Sequence, residues 1–209
     1  MRAPDAAERI EGALAEHGWY CDALVLCAGI GVLGAFNEHN RNEHLAVLDL
    51  NARVPTELIL HFMPGMRKRR RGGVLLVGSI AGYAPGPNMA VYYATKAYVR
   101  SLSNALYAET KDSGVTVTNL SPGFVSTPFL SRSGIGLTRL RKILPRMTAA
   151  DVAKEGWRGF RSGRRVVVPG LANRVMIGAA NLMPTRFVLW VIQTLQRQPD
   201  DRASRSDRP

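Results

Sequence analysis

Gly72-Gly73-Val74-Leu75-Leu76-Val77-Gly78-Ser79, followed at a distance by Tyr92-Tyr93-Ala94-Thr95-Lys96, is the stretch that decides what kind of fold this chain has. An apolar run of this length between glycines has the pattern of a strand buried on both faces, as strands of a parallel sheet are. Ser79 then stands at the strand's carboxyl end, where open α/β sheets place their ligands. Tyr92 and Lys96 are four apart, so a helix presents both on one face. A phenol with a pKa near ~10 costs roughly 4 kcal/mol to ionise at neutral pH, and a cation within about 4 to 6 Å lowers that cost. The pair therefore has the means to exchange a proton with a substrate oxygen. A nucleophile elbow is disfavoured, because Gly-x-Ser-x-Gly would need glycine where Val77 stands. A turn-capping serine beside a surface Tyr and Lys would look the same locally, and only the surrounding sequence separates the two.

That surrounding sequence alternates helices and strands. Asp5-Ala6-Ala7-Glu8 has the form of a capping box, opening a helix that carries Ile10 and Leu14 inward and stops near Gly18. A strand over 22–27, a helix through Asn51, a helical stretch over 54–66, the Ser79 strand, the Tyr92 helix to about Asp112 and a strand over 115–119 follow in order. Residues 134–147 form a lobe expected to cover a substrate, Thr148 opens another helix, and 165–168 supplies a last strand. Such alternation predicts an α/β fold with a parallel sheet and right-handed crossovers.

In this order the motifs resemble those of the short-chain dehydrogenase/reductases. Ser79, Tyr92 and Lys96 match that family's Ser…Tyr-x-x-x-Lys pattern with its usual interval, and Asn51 falls where the family keeps an asparagine before the serine strand. Leu26-Cys27-Ala28-Gly29 is similar to its Asn-Asn-Ala-Gly turn with both asparagines replaced, and Pro122-Gly123-Phe124-Val125-Ser126-Thr127 to its Pro-Gly-x-Val-x-Thr segment. The resemblance implies NAD or NADP as cofactor, held by Ala28, Gly29, Tyr92, Lys96, Pro122, Gly123, Val125 and Thr127. It implies a catalytic set in which Tyr92 is the general acid or base, Lys96 lowers its pKa and holds the cofactor ribose, Ser79 binds the substrate oxygen and Asn51 anchors a proton-relaying water. It also implies a homo-oligomer joined through the helices of Asn51 and Tyr92.

One part of the family pattern is missing. The strand and Thr-Gly-x-x-x-Gly-x-Gly loop that cradle the pyrophosphate have no counterpart before 22–27, so the fold class expected is an incomplete doubly wound, Rossmann-like parallel sheet with flanking helices. The apolar strand 22–27 would then be an exposed edge. Either a partner covers it or the chain is an N-terminally shortened form of a longer enzyme, and the intact catalytic set favours shortening. The same loss leaves NAD versus NADP undecided and weakens the expected cofactor affinity. Gly29-Ile30-Gly31-Val32-Leu33-Gly34 does satisfy Gly-x-Gly-x-x-Gly, with Asp49 twenty residues on, but the register of Asn51, Ser79 and Tyr92 makes it the later Ala-Gly turn.

The expected divisions are 1–172 for the partial Rossmann-like domain, 173–196 for an apolar helical segment and 197–209 for a disordered tail. The 209 residues, 46% of them hydrophobic, suit one globular domain. Cys21 and Cys27 read as core thiols of a reducing compartment, and His39 and His44, five apart, lie on different faces of a helix, so no metal site is expected. The net charge of +12 is fed by Arg67-Lys68-Arg69-Arg70-Arg71, a run at a helix C-terminus that lacks the interleaved aromatics of a nucleic-acid surface. Two apolar runs in 175–196, each too short to span a bilayer, are suited to lie on a membrane surface, to close over a lipophilic carbonyl or alcohol substrate, or to pack on the domain. A cytoplasmic, optionally membrane-associated protein is the default. Two classes of function stay open: an oxidoreductase, and an inactive scaffold subunit that pairs through its exposed sheet edge.

Overall fold

The structure, a computed structural model, describes residues 5–135 and 146–196. Four strands form one parallel sheet: β1 (Ala23–Leu26), β2 (Gly72–Val77), β3 (Val115–Leu120) and, across β3, a short strand at Val166–Val167. Leu26 pairs with Leu76, and Val77 with Leu120, so the carboxyl ends of neighbouring strands finish together at one rim. Two further residue pairs make a small separate sheet, β4 (Phe124–Val125) with β5 (Arg146–Met147), so the strand at Val166–Val167 is β6.

The strand period of two divides β2 between two cores. Val74 and Leu76 face a cluster with Leu58, Phe62 and Met66 of α3 (Val54–Arg69) and Val99 of α4 (Ala90–Glu109). Leu75 faces the other way, onto Val152 and Phe160 of a helix at Ala149–Arg161. Gly73 is required by a close approach: a Cβ there would lie 2.5 Å from Thr116 O and 2.7 Å from the Phe160 ring. The sheet is thus the helix-covered parallel sheet the alternation predicts.

The helix expected at Asn51 is part of a longer rod. It begins as α2 (Arg41–Leu48), passes through a π turn at Asp49–Arg53 and continues as α3. A capping box does open it, at Asn40 and Glu43, whose side chains and backbones bond reciprocally at 3.0 and 3.1 Å. The box expected at Asp5 does not form. Asp5 precedes α1 (Ala6–Ala15) with φ −99° and ψ 14°, away from the extended backbone a capping side chain needs, and makes no capping bond. Ile10 of α1 is exposed rather than inward, since Ala7 and not Ile10 packs on the core. Gly18 does sit past the helix end with φ 68°.

The basic run ends α3 as expected, with Arg70 left-handed at φ 52°. Its arginines tie that end to its neighbours: Arg69 donates to Cys21 O at 3.0 Å, Arg70 to Asp112 O at 3.0 Å and Arg71 to the Asp22 carboxylate at 3.1 Å. Cys27 is exposed, which corrects its reading as a core thiol. His39 precedes α2 instead of lying on a helix, so its ring meets that of His44 edge-on at 5.8 Å, and among the described residues no three His, Cys, Asp or Glu side chains cluster as a metal site.

After β4 come α5 (Phe129–Arg132), the helix at Ala149–Arg161, here α6, and two apolar helices, α7 (Leu171–Leu182) and α8 (Thr185–Gln196). Thr148 caps α6, accepting from Asp151 N at 3.1 Å. Most of the lobe expected at 134–147 and all of the tail expected at 197–209 lie outside the described residues. Among the described residues no helix is long and apolar enough to cross a membrane.

Candidate active site

The rim where β2 and β3 end opens into a cavity of ≈ 950 Å³. Gly78 N donates to Leu120 O at 2.7 Å, and Ile80 N to Pro122 O at 3.0 Å, which sets the turns after the two strands side by side. Ser79 leaves β2 in an extended conformation and caps a 3₁₀ turn at Ile80–Tyr83, its Oγ accepting from Ala81 N at 3.1 Å. Across the cavity the first turns of α4 bring Tyr92 forward to face Ser79, whose side chain favours the ionised phenol. Lys96 lies one turn on, with Nζ 5.8 Å from the centre of the Tyr92 ring and donating to Val77 O at 3.0 Å. The serine, tyrosine and lysine picked from the sequence therefore converge.

Their electrostatics differ from the expectation. Tyr92 is pushed up to about 12, because burial outweighs the Ser79 hydrogen bond that favours its ionised form. Lys96 is pulled down to about 8 by burial, with Cys27 nearby opposing the shift. Burial favours the neutral form of each, and the lysine is not among the groups that lower the phenol.

Gly29, Pro122, Gly123, Val125 and Thr127 line the same cavity as Ser79, Tyr92 and Lys96, whereas Ala28 and Asn51 do not. Asn51 is fully buried behind it. Its Oδ1 accepts from Ile30 N at 3.0 Å, and its Nδ2 donates to Ile30 O at 2.9 Å and to Thr95 Oγ1 at 3.1 Å. Asn51 thus pins the 29–31 turn to α4. The Gly29–Gly34 stretch leads into loop and turn up to Asn40 and not into a helix, which a pyrophosphate fingerprint requires. Gly123 packs so closely on α7 that a Cβ would run into the Asn173 amide.

A family model described as short chain dehydrogenase matches residues 1–135. The chain belongs to the short-chain dehydrogenase family. This member of the family is 40% identical over 124 residues to an uncharacterised short-chain type dehydrogenase/reductase from Sinorhizobium fredii, covering 59% of this chain and 50% of the relative. It is 29% identical over 139 residues to an uncharacterised oxidoreductase from Staphylococcus epidermidis, covering 66% of this chain and 59% of that one. The chain therefore spans half to three fifths of the length of these curated relatives. Among solved structures, a short-chain dehydrogenase from Sphingobium yanoikuyae in complex with NADPH is 27% identical with a TM-score of 0.72, covering 86% of this chain and 70% of that one. A 7β-hydroxysteroid dehydrogenase structure shares the fold, with a TM-score of 0.77 at 20% identity, over 92% of this chain and 74% of its own.

Three neighbours of the site were not among the residues picked from the sequence. Phe129 lies 5.5 Å from the Tyr92 ring. Gln196, at the end of α8, donates to the Tyr93 hydroxyl at 2.8 Å across 103 positions, and no local pattern marks such a pair. Cys27 had a signal, since it replaces an asparagine of the family turn, and it lines the cavity near Lys96.

Proposed function

We propose that this short-chain dehydrogenase interconverts a carbonyl and an alcohol with a nicotinamide cofactor, NAD or NADP, on an apolar substrate. The observation that carries the proposal is the convergence of Ser79, Tyr92 and the buried Lys96 on one cavity at the mouth of the sheet. The residues present fit the ribose and nicotinamide end of such a cofactor. Lys96 has three N–H donors, and Val77 O takes one, leaving donors suited to a ribose diol. Gly29 stands beside that ammonium, its Cβ position 3.5 Å from Lys96 Nζ, an ordinary contact distance. Pro122, Gly123, Val125 and Thr127 supply the facing wall.

When bound, the nicotinamide supplies or accepts a hydride. Tyr92 gives its proton to the substrate oxygen as a carbonyl is reduced and takes it back as an alcohol is oxidised. Ser79 holds that oxygen by a hydrogen bond, and Lys96 stabilises negative charge on the phenol. Asn51 acts as a positioning residue that fixes the 29–31 turn. The apolar substrate class rests on the cavity walls of α7 and α8, where Met176, Ile177, Phe187 and Val191 face the space above Tyr92. Self-association through α3 and α4 accompanies this reading.

Titrating NADH and NADPH into the 209-residue chain, followed by nicotinamide fluorescence, should show saturable binding of one or both. Tyr92→Phe should keep the fold and lose turnover by about a hundredfold or more. Retained turnover in that variant removes Tyr92 from the chemistry, and no binding of either cofactor removes the enzyme reading for this chain. A second reading would then stand, that of a subunit pairing through β1. It is favoured by Val25, 49% exposed on a strand that among the described residues pairs only with β2.

A further inference from the structure

The outer faces of α7 and α8 carry apolar side chains that the fold leaves uncovered. Leu171, Val175, Gly178 and Leu182 follow at intervals of four, three and four, which makes them one stripe of α7. Leu171 is 74% exposed, Val175 64% and Leu182 88%, and a Cβ on Gly178 would meet open space. The opposite face, with Met176, Ile177 and Ala180, already lines the cavity, so the stripe is a second apolar face and not a misassigned inner one. On α8, Trp190 is 62% exposed and its ring lies 5.8 Å from that of Phe187.

Charge selects the partner. Residues 171–196 contain no aspartate or glutamate, and their only charges are Arg174 and Arg186, both exposed. Arg174 borders the α7 stripe, and Arg186 stands one turn before Trp190 on the outer face of α8. A second copy of the chain docking here by two-fold symmetry would set the same arginines against each other with no carboxylate between them. An anionic bilayer offers phosphates to the arginines, a headgroup boundary to the tryptophan and acyl chains to the stripe. We propose that the outer face of α7 and α8 docks this protein on an anionic lipid surface, both helices lying along it. The inner faces of the same helices wall the cavity, so an apolar substrate would reach Tyr92 from the bilayer side. The docking itself does not depend on the redox reading.

The test is co-sedimentation of the purified 209-residue chain with vesicles of phosphatidylcholine alone and of phosphatidylcholine with phosphatidylglycerol. Partition onto the anionic vesicles should be about tenfold stronger than onto the neutral ones and should weaken with added salt. The double variant Leu171→Asp with Leu182→Asp should lose about tenfold or more of that binding while its circular dichroism and melting stay unchanged, because both side chains point to solvent. Arg186→Gln should lower only the preference for anionic over neutral vesicles. Absence of binding, equal binding to both vesicles, or binding untouched by the double variant would overturn the proposal. So would concentration-dependent self-association that the double variant abolishes, which would give the face to a second copy. Vesicle binding needs no turnover, so failure here leaves the redox reading standing, and failure of cofactor binding leaves the docking standing.

Discussion

Lys96 is 6% exposed, and its ammonium has Val77 O in place of the water it gave up. The unfolded chain holds this proton up to the ordinary 10.5, the folded chain only to about 8. Between those limits the unfolded state binds more protons, so stability rises with pH. Tyr92 acts in the opposite sense above pH 10: its proton is kept to about 12 in the folded state, and stability falls as the unfolded chain releases it. Urea unfolding of the wild type should therefore show stability climbing from about pH 8 toward pH 10. Lys96→Met should flatten that climb and stabilise the chain at pH 7 on the order of 2 kcal/mol. A climb that persists in the variant would assign it to another group. The stability lost to hold a buried cation is what a functional role for Lys96 would explain.

Among elements, the π turn at Asp49–Arg53 does most to connect sequence and site, since it places Asn51 where its amide closes on both polar atoms of Ile30. Asn51→Ala would leave both Ile30 atoms without their partner, while Thr95 Oγ1 would keep its bond to Tyr92 O. It should cost about 2 kcal/mol and speed hydrogen exchange at the Ile30 amide, with exchange at the β2 amides following only the global loss. The sequence made β2 legible because strands buried on both faces are continuous apolar runs, and β3 because its Val115-Thr116-Val117-Thr118 is all β-branched. It made Ser79, Tyr92 and Lys96 legible because their spacing is fixed by one strand end and one helix face. The pairs β4–β5 were not legible, since two residues carry no period and their pairing is a matter of distant register. The capping box was legible in kind but placed at Asp5 rather than Asn40, because the pattern alone does not report whether the capping residue is extended. The shifts of Tyr92 and Lys96 needed the cavity: spacing tells which groups meet, and burial decides which protonation state they keep.

For the molecule as a whole, the outer face of α3 and α4 also bears on assembly. Leu60 of α3 is 70% exposed and Tyr98 of α4 41%, and Thr56 Oγ1 joins the Tyr98 hydroxyl at 2.7 Å to hold the two helices as one surface. If the chain self-associates there, light scattering after size exclusion should give a dimer, and Leu60→Asp should give a monomer with unchanged far-ultraviolet circular dichroism. A wild-type monomer at the same concentration would remove this face from the assembly. The rod that carries Leu60 has one more consequence, and it concerns the gene. A π turn accommodates a residue beyond the α-helical count, so losing a single codon within 49–53 would let the rod relax to regular helix with α3 still facing the same way. Leu58, Phe62 and Met66 would keep their place on the sheet. The same loss a few codons later, inside the regular turns of α3, would rotate every side chain beyond it by about 100°. Ser79, Tyr92 and Lys96 would still be encoded without error, yet the sheet that seats them would have lost its cover.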